Sequence, residues 1–155
     1  MKKLLMTAAV AAVALGLGST ASLAEAYKAC WIYVGPVGDG GWSFQHDEGR
    51  KAVVAELGDK VETVFVENVA EPDSDRTIER LARDGCKIIF TTSFGFMEPT
   101  LKVAAKFPDV KFEHATGYKT APNVTTYNSK FHEGRYVIGQ IAAKMSKTGT
   151  AGYIV

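Results

Sequence analysis

Residues 29–43 read Ala-Cys-Trp-Ile-Tyr-Val-Gly-Pro-Val-Gly-Asp-Gly-Gly-Trp-Ser. The apolar, β-branched and aromatic run Ala29–Val34 is what a strand buried on both faces requires, and Gly35-Pro36 stops it. From Ser43 to Leu57 the pattern changes to a helix. Ser43 is placed to cap it, Asp47 and Glu48 suit its first turn, and Gly49, Ala52, Val53 and Leu57 share one face. Strand, glycine-rich loop and helix in that order form the opening unit of an α/β protein.

The alternation continues along the chain. Val61–Val66 reads as a second strand. A helix from Asp73-Ser74 carries Ile78, Leu81 and Ala82 and stops at Gly85. Lys87–Thr92 is the third strand, followed by a helix that starts at Pro99 and ends at Phe107-Pro108. Lys111–Ala115 and Val124–Tyr127 are short strands, Glu133–Met145 a longer helix, and Gly152–Val155 the opening of another strand. Such spacing predicts a parallel sheet flanked by helices, with a ligand outside the carboxyl ends of the strands. The last strand has no helix after it to cover it, so the sequence is expected to be the front of a longer protein.

Residues 1–26 read as an address. A basic start, Met1-Lys2-Lys3, precedes fourteen apolar residues, Leu4–Leu17, and a polar stretch leading to Ala24-Glu25-Ala26, with cleavage expected after Ala26. As a helix that run would rise only about 21 Å, short of the roughly 30 Å hydrocarbon layer, which argues against a membrane anchor. The processed protein is expected outside the cytoplasm, in the periplasm. The 155 residues carry a formal charge of +1, with 46% hydrophobic and 23% charged residues. Without Lys2, Lys3 and Glu25 the balance is 16 basic to 16 acidic. A chain so balanced is globular and has no field to attract nucleic acid or an anionic membrane.

Cys30 and Cys86 stand 56 residues apart, which excludes a C-x-x-C redox motif and a zinc knuckle. One opens the first strand and the other precedes the third, so both fall at one edge of the sheet. A disulfide and a pair of buried thiols are both compatible with that placement.

The glycine loop fits neither a phosphate loop, because no Gly-Lys-Ser/Thr follows, nor a dinucleotide fingerprint, because a third glycine is missing. What it offers is the flat face of Trp42 beside a helix N-terminus. Phe94 and Phe96 bracket Gly95 on the same rim. Three aromatics there suit the walls of a slot for a planar ligand, with Ser43, Asp39, Glu67 and Asn68 as candidate polar partners. His46-Asp47-Glu48 reads as a solvated first turn, because sequence neighbours on a helix diverge. His114 reads as a core or edge residue and His132 as part of a helix start. Asn123-Val124-Thr125 matches the glycosylation sequon, a triplet common by chance.

Four stretches, 41–50 (Gly-Trp-Ser-Phe-Gln-His-Asp-Glu-Gly-Arg), 91–97 (Thr-Thr-Ser-Phe-Gly-Phe-Met), 112–118 (Phe-Glu-His-Ala-Thr-Gly-Tyr) and 133–145, resemble the basic membrane protein family. These are PnrA-like substrate-binding proteins of ABC importers, many of which bind purine bases or nucleosides. The resemblance runs from about Tyr27 to Val155. It implies the type I periplasmic binding protein fold, with residues 27–127 as the first lobe and 128–155 as the hinge crossing and start of a second. It implies a small-molecule purine and an inner-membrane ABC permease as partners, a monomer, no cofactor or metal, and no chemical step. Counting back from Gly49 sets Trp42 on the family's stacking phenylalanine and Ser43 on its asparagine, so the base-edge amide is lost. Phe94 and Phe96 fall on its aromatic-glycine loop, and Tyr118 at the end of the fourth strand. A sensor domain of the same fold and a periplasmic nucleoside hydrolase are the alternatives. The hydrolase would need a carboxylate cluster or metal that these loops do not supply.

Overall fold

A computed structural model describes residues 25–153. The expected leader therefore falls almost wholly outside the described residues, of which no helix is long and apolar enough to cross a membrane. Five strands, β1 (Tyr27–Ile32), β2 (Val61–Val66), β3 (Ile88–Thr91), β4 (Lys111–Ala115) and β5 (Val124–Tyr127), form one parallel sheet in the order β2-β1-β3-β4-β5. Four helices accompany them: α1 (Trp42–Leu57), α2 (Ser74–Arg83), α3 (Met97–Ala104) and α4 (Phe131–Met145). This is the α/β sheet the alternation predicts. Strand order reverses at β1, which lies between β2 and β3, so the loops leaving β1 and β3 part to opposite sides and open a crevice.

The β1 side chains divide between the two faces. Cys30 and Ile32 join Ile89, Phe112 and Val124 under α2 and α3, where Ile78, Leu81 and Val103 complete the main core. Sγ of Cys30 is bonded to Sγ of Cys86, with the two Cα atoms 6.0 Å apart. Ala29, Trp31 and Tyr33 face the other way, and Trp31 stacks on Phe90 with centroids 4.5 Å apart.

The first helix departs from its expected form. It begins at Trp42 with Gly41 as N-cap, and Ser43 lies buried within it. Its sheet-facing stripe is Ser43, Asp47 and Arg50, at i, i+4 and i+7, rather than Gly49, Ala52, Val53 and Leu57. Val53 is half-buried, whereas Ala52 and Leu57 are exposed. Asp47, expected in solvent, is 2% exposed. It accepts from Arg50 Nε at 2.6 Å and from Tyr33 Oη at 3.3 Å, while Arg50 reaches Thr63 Oγ1 at 3.0 Å and lies over the Phe65 ring. A polar clamp, not an apolar stripe, docks α1 on the sheet.

Elsewhere the boundaries shift modestly. A 3₁₀ turn, Phe94–Phe96, starts the third helix earlier than Pro99, and α4 begins at Phe131 rather than Glu133. Gly152 and Tyr153 are not in a strand, and the rest of that expected strand lies outside the described residues. The amide of Asn123 is already engaged. It donates to the carbonyls of Ala104, Phe107 and Val110, closing the end of α3, which gives the residue a structural role in place of a sugar attachment.

Candidate functional site

The carboxyl ends of the strands deliver their loops to one rim, and two adjoining depressions of about 580 Å³ each lie there. Trp42, Thr116, Asn128 and Phe131 line both, so the two are halves of one cleft. Trp42 is fixed from behind: its Nε1–H donates to the carbonyl of Thr92 at the end of β3. Its ring remains 37% exposed and lies 6.0 Å from the Phe131 ring, centroid to centroid. Phe94 walls the far half and is 57% exposed.

The other expected ligand contacts are arranged differently. Phe96 is a correction. The 3₁₀ turn that aims Phe94 outward sends Phe96, two residues on, into the core, where it is fully buried and offers no face to a ligand. Ser43 is likewise buried, and its hydroxyl accepts the Gly35 N–H at 3.1 Å, bracing the glycine loop. Asp39 is exposed but accepts the Gly41 N–H at 2.7 Å, and Glu67 accepts the Val37 N–H at 2.8 Å. Asn68 takes a left-handed turn position with φ 57°. Neither Asp39, Glu67 nor Asn68 lines the cleft halves. Tyr118 is 70% exposed and outside them too, leaning on Phe94 at 6.3 Å and on Lys119.

Gln45, His46, Thr116, Tyr127, Asn128 and Phe131 are cleft residues the sequence reading did not select. His46 was legible. It follows Trp42 by four residues, one helical turn, and so shares its face. Its ring meets Trp42 edge-on, centroids 4.6 Å apart at 70°, and Nδ1 lies 3.5 Å from the Tyr127 hydroxyl. Burial lowers the His46 pKa below its ordinary 6.5, so the imidazole is neutral at neutral pH. Burial also raises the pKa of the Tyr127 phenol, helped by the charge of Glu113, so the hydroxyl keeps its proton.

Beneath the rim runs a buried chain of polar groups. His114 Nδ1 is 2.9 Å from Thr91 Oγ1, which is 3.0 Å from Thr100 Oγ1, which donates to the Phe96 carbonyl at 2.7 Å. Gly117 passes so close above the His114 ring that a Cβ there would overlap it. The Gly117→Ala variant should therefore lose about 1–3 kcal/mol of stability by overpacking a ring that cannot swing away. Urea unfolding of the variant beside wild type checks this, and an unchanged midpoint would refute it.

No carboxylate lines either half of the cleft, and Arg135 is the one formally charged side chain in the lining. Among the described residues there is no cluster of His, Cys, Asp and Glu able to hold a metal ion. An aromatic, nearly uncharged crevice at a strand-order reversal suits a planar neutral solute.

The Bmp family model, described as "ABC transporter substrate-binding protein PnrA-like", matches residues 26–155. The chain belongs to this family. It is 66% identical over 139 residues to "Purine-binding protein BAB2_0673" of Brucella abortus, a match covering 89% of the chain and 40% of that relative. It is 41% identical over 137 residues to "Putative ABC transporter glucose-binding protein TsgA13" of Haloferax volcanii, covering 88% of the chain and 35% of that protein. The chain thus spans well under half the length of these relatives. Both are named as binding proteins rather than enzymes. Among solved structures, an ABC transporter solute-binding protein from Aeropyrum pernix K1 superposes with a TM-score of 0.68 at 24% identity, over 78% of the chain and 33% of that protein. The periplasmic binding protein-like fold of the family is shared.

Proposed function

We propose that the chain forms part of the solute receptor of an ABC importer and that the solute is a purine base or nucleoside. Trp42 carries the reading: a large aromatic face, held by Thr92 and flanked by Phe131 and Phe94, in a cleft lined by no carboxylate. Such a surface recognises a flat, neutral heterocycle by stacking. The 66% identity to a protein named for purine binding supports the same class.

In this reading residues 27–127 are most of the first lobe. The chain crosses a hinge after Tyr127, and α4 begins the second lobe. Ligand closes the lobes over the cleft, and the closed form is recognised by an inner-membrane permease. A leader cleaved after Ala26 delivers the receptor, a monomer, to the periplasm.

Removal of the stacking face is the direct test. In the full-length protein, Trp42→Ala should weaken binding of the preferred purine by about 1–3 kcal/mol while leaving the melting temperature close to that of wild type. Calorimetric titration measures the first and thermal unfolding the second. Unchanged affinity for every purine would contradict stacking on Trp42.

A further inference from the structure

We infer that His46 is a specificity-determining residue of this cleft, donating a hydrogen bond from Nε2–H to an unprotonated ring nitrogen of a base seated beside Trp42. The inference rests on the purine reading and adds to it the acceptor the ligand must carry.

The tautomer is assigned on the Tyr127 contact, in which a phenol is the better donor and the poorer acceptor. Tyr127 retains its phenolic proton, and His46 Nδ1 is the one partner its hydroxyl has among the described residues. With the hydroxyl donating to Nδ1, that nitrogen is an acceptor, and a neutral imidazole then carries its hydrogen on Nε2. Nε2 has no partner among the described residues. It is also not sealed off, for the one fully buried unpaired side-chain nitrogen or oxygen among them is His114 Nε2. An unpartnered ring nitrogen thus stands open on a residue that lines the cleft, one helical turn from the stacking ring.

His46 lies edge-on to Trp42, so its ring stands at 70° to a base stacked on Trp42, and we place its donor at the periphery of that base. Peripheral acceptors common to purines are their unprotonated ring nitrogens, whatever group sits on the six-membered ring. A hydrogen-bonding site discriminates most strongly against a ligand lacking the matching atom, because its own group is then left unpaired. The donor nitrogen is neutral, so it gives no preference for anions. The ligand class is therefore a neutral aza-heterocycle with an in-plane nitrogen lone pair, and its carbocyclic isostere is rejected.

The test uses full-length protein, with adenine compared against its 1-, 3- and 7-deaza forms and hypoxanthine against its 3- and 7-deaza forms, in which a CH replaces one unprotonated ring nitrogen. On wild type, one deaza form should bind about tenfold more weakly than its parent, the worth of one well-placed hydrogen bond. On His46→Phe, which keeps the aromatic edge, the parent should weaken about tenfold and the same deaza form should bind equally well. His46→Gln retains an amide donor and should keep part of the discrimination, and Tyr127→Phe should reduce it. A purely packing role would move none of these ratios. The inference is overturned if wild type tolerates every deaza form, or if His46→Phe and Tyr127→Phe both keep the wild-type ratio. It is also overturned if His46→Phe and His46→Gln lose binding alike while melting as wild type does. Wild type that binds neither parent nor any other purine overturns the purine reading and this inference together.

Discussion

Replacing Cys30 and Cys86 together by serine should lower the unfolding free energy by about 4 kcal/mol, the chain-entropy value for a bridge that closes a loop of this length. The bridge runs from β1, an interior strand of the sheet, to Cys86, two residues ahead of β3, and the loop between them holds α1, β2 and α2. Unfolded chains so tied have far fewer conformations to gain. Both cysteines are buried in the main core, so serine also sets hydroxyls among apolar neighbours, which adds to the loss. Urea unfolding of wild type, of reduced wild type and of the double variant separates the contributions. The reduced protein should fall most of the way toward the variant. Equal midpoints for oxidised and reduced wild type would show that the bridge contributes nothing.

The Asp47→Ala variant should cost about 3 kcal/mol, the low end for breaking a buried ion pair. Arg50, whose side chain is 13% exposed, would lose its carboxylate partner, and the buried Tyr33 hydroxyl would lose its acceptor. Retention of the Arg50–Thr63 bond keeps the penalty from growing. Asp47→Asn, which still accepts hydrogen bonds but carries no charge, should lose less than half as much. The wild-type interaction also has a pH signature. Burial alone would raise the Asp47 pKa, but hydrogen bonds and charge from Arg50 and Lys51 outweigh it and hold the pKa below 3.8. Its stabilisation is therefore complete above that value and is lost as pH falls through the lower folded-state pKa. Between pH 5 and pH 2, wild type should lose stability that Asp47→Ala does not have to lose. Parallel curves for the two proteins across that range would contradict the clamp.

The sheet was legible because β1 and β3 appear as apolar runs, β1 stopping at Gly35-Pro36 and β3 starting just after Gly85. Strands β4 and β5 match their expected limits. The first helix was harder, since its docking face is Ser43, Asp47 and Arg50, and polar residues at helical spacing read as solvent-facing. The Tyr33 hydroxyl just past β1, the Gly35 N–H, and Thr63 and Phe65 on β2 make that face buried. The same ambiguity hid His46. Adjacent residues on a helix do point apart, but here one of the pair enters the cleft and the other the sheet. Trp42 and Phe94 could be found by their loops. Phe96 could not be separated from Phe94, because a 3₁₀ turn decides which of them faces out. Tyr127, Asn128 and Phe131 belong to the chain leaving β5, and their approach to α1 is a tertiary contact that no local pattern encodes.

Binding of a purine against Trp42 is read directly by fluorescence. Full-length protein, refolded to remove any carried-over ligand, is titrated with adenine, guanine, hypoxanthine, their nucleosides and glucose while tryptophan fluorescence is recorded. At least one purine should quench saturably, glucose should not, and Trp42→Ala should lose the quenching signal. Folded protein that responds to glucose alone, or to none of these solutes, would contradict purine binding.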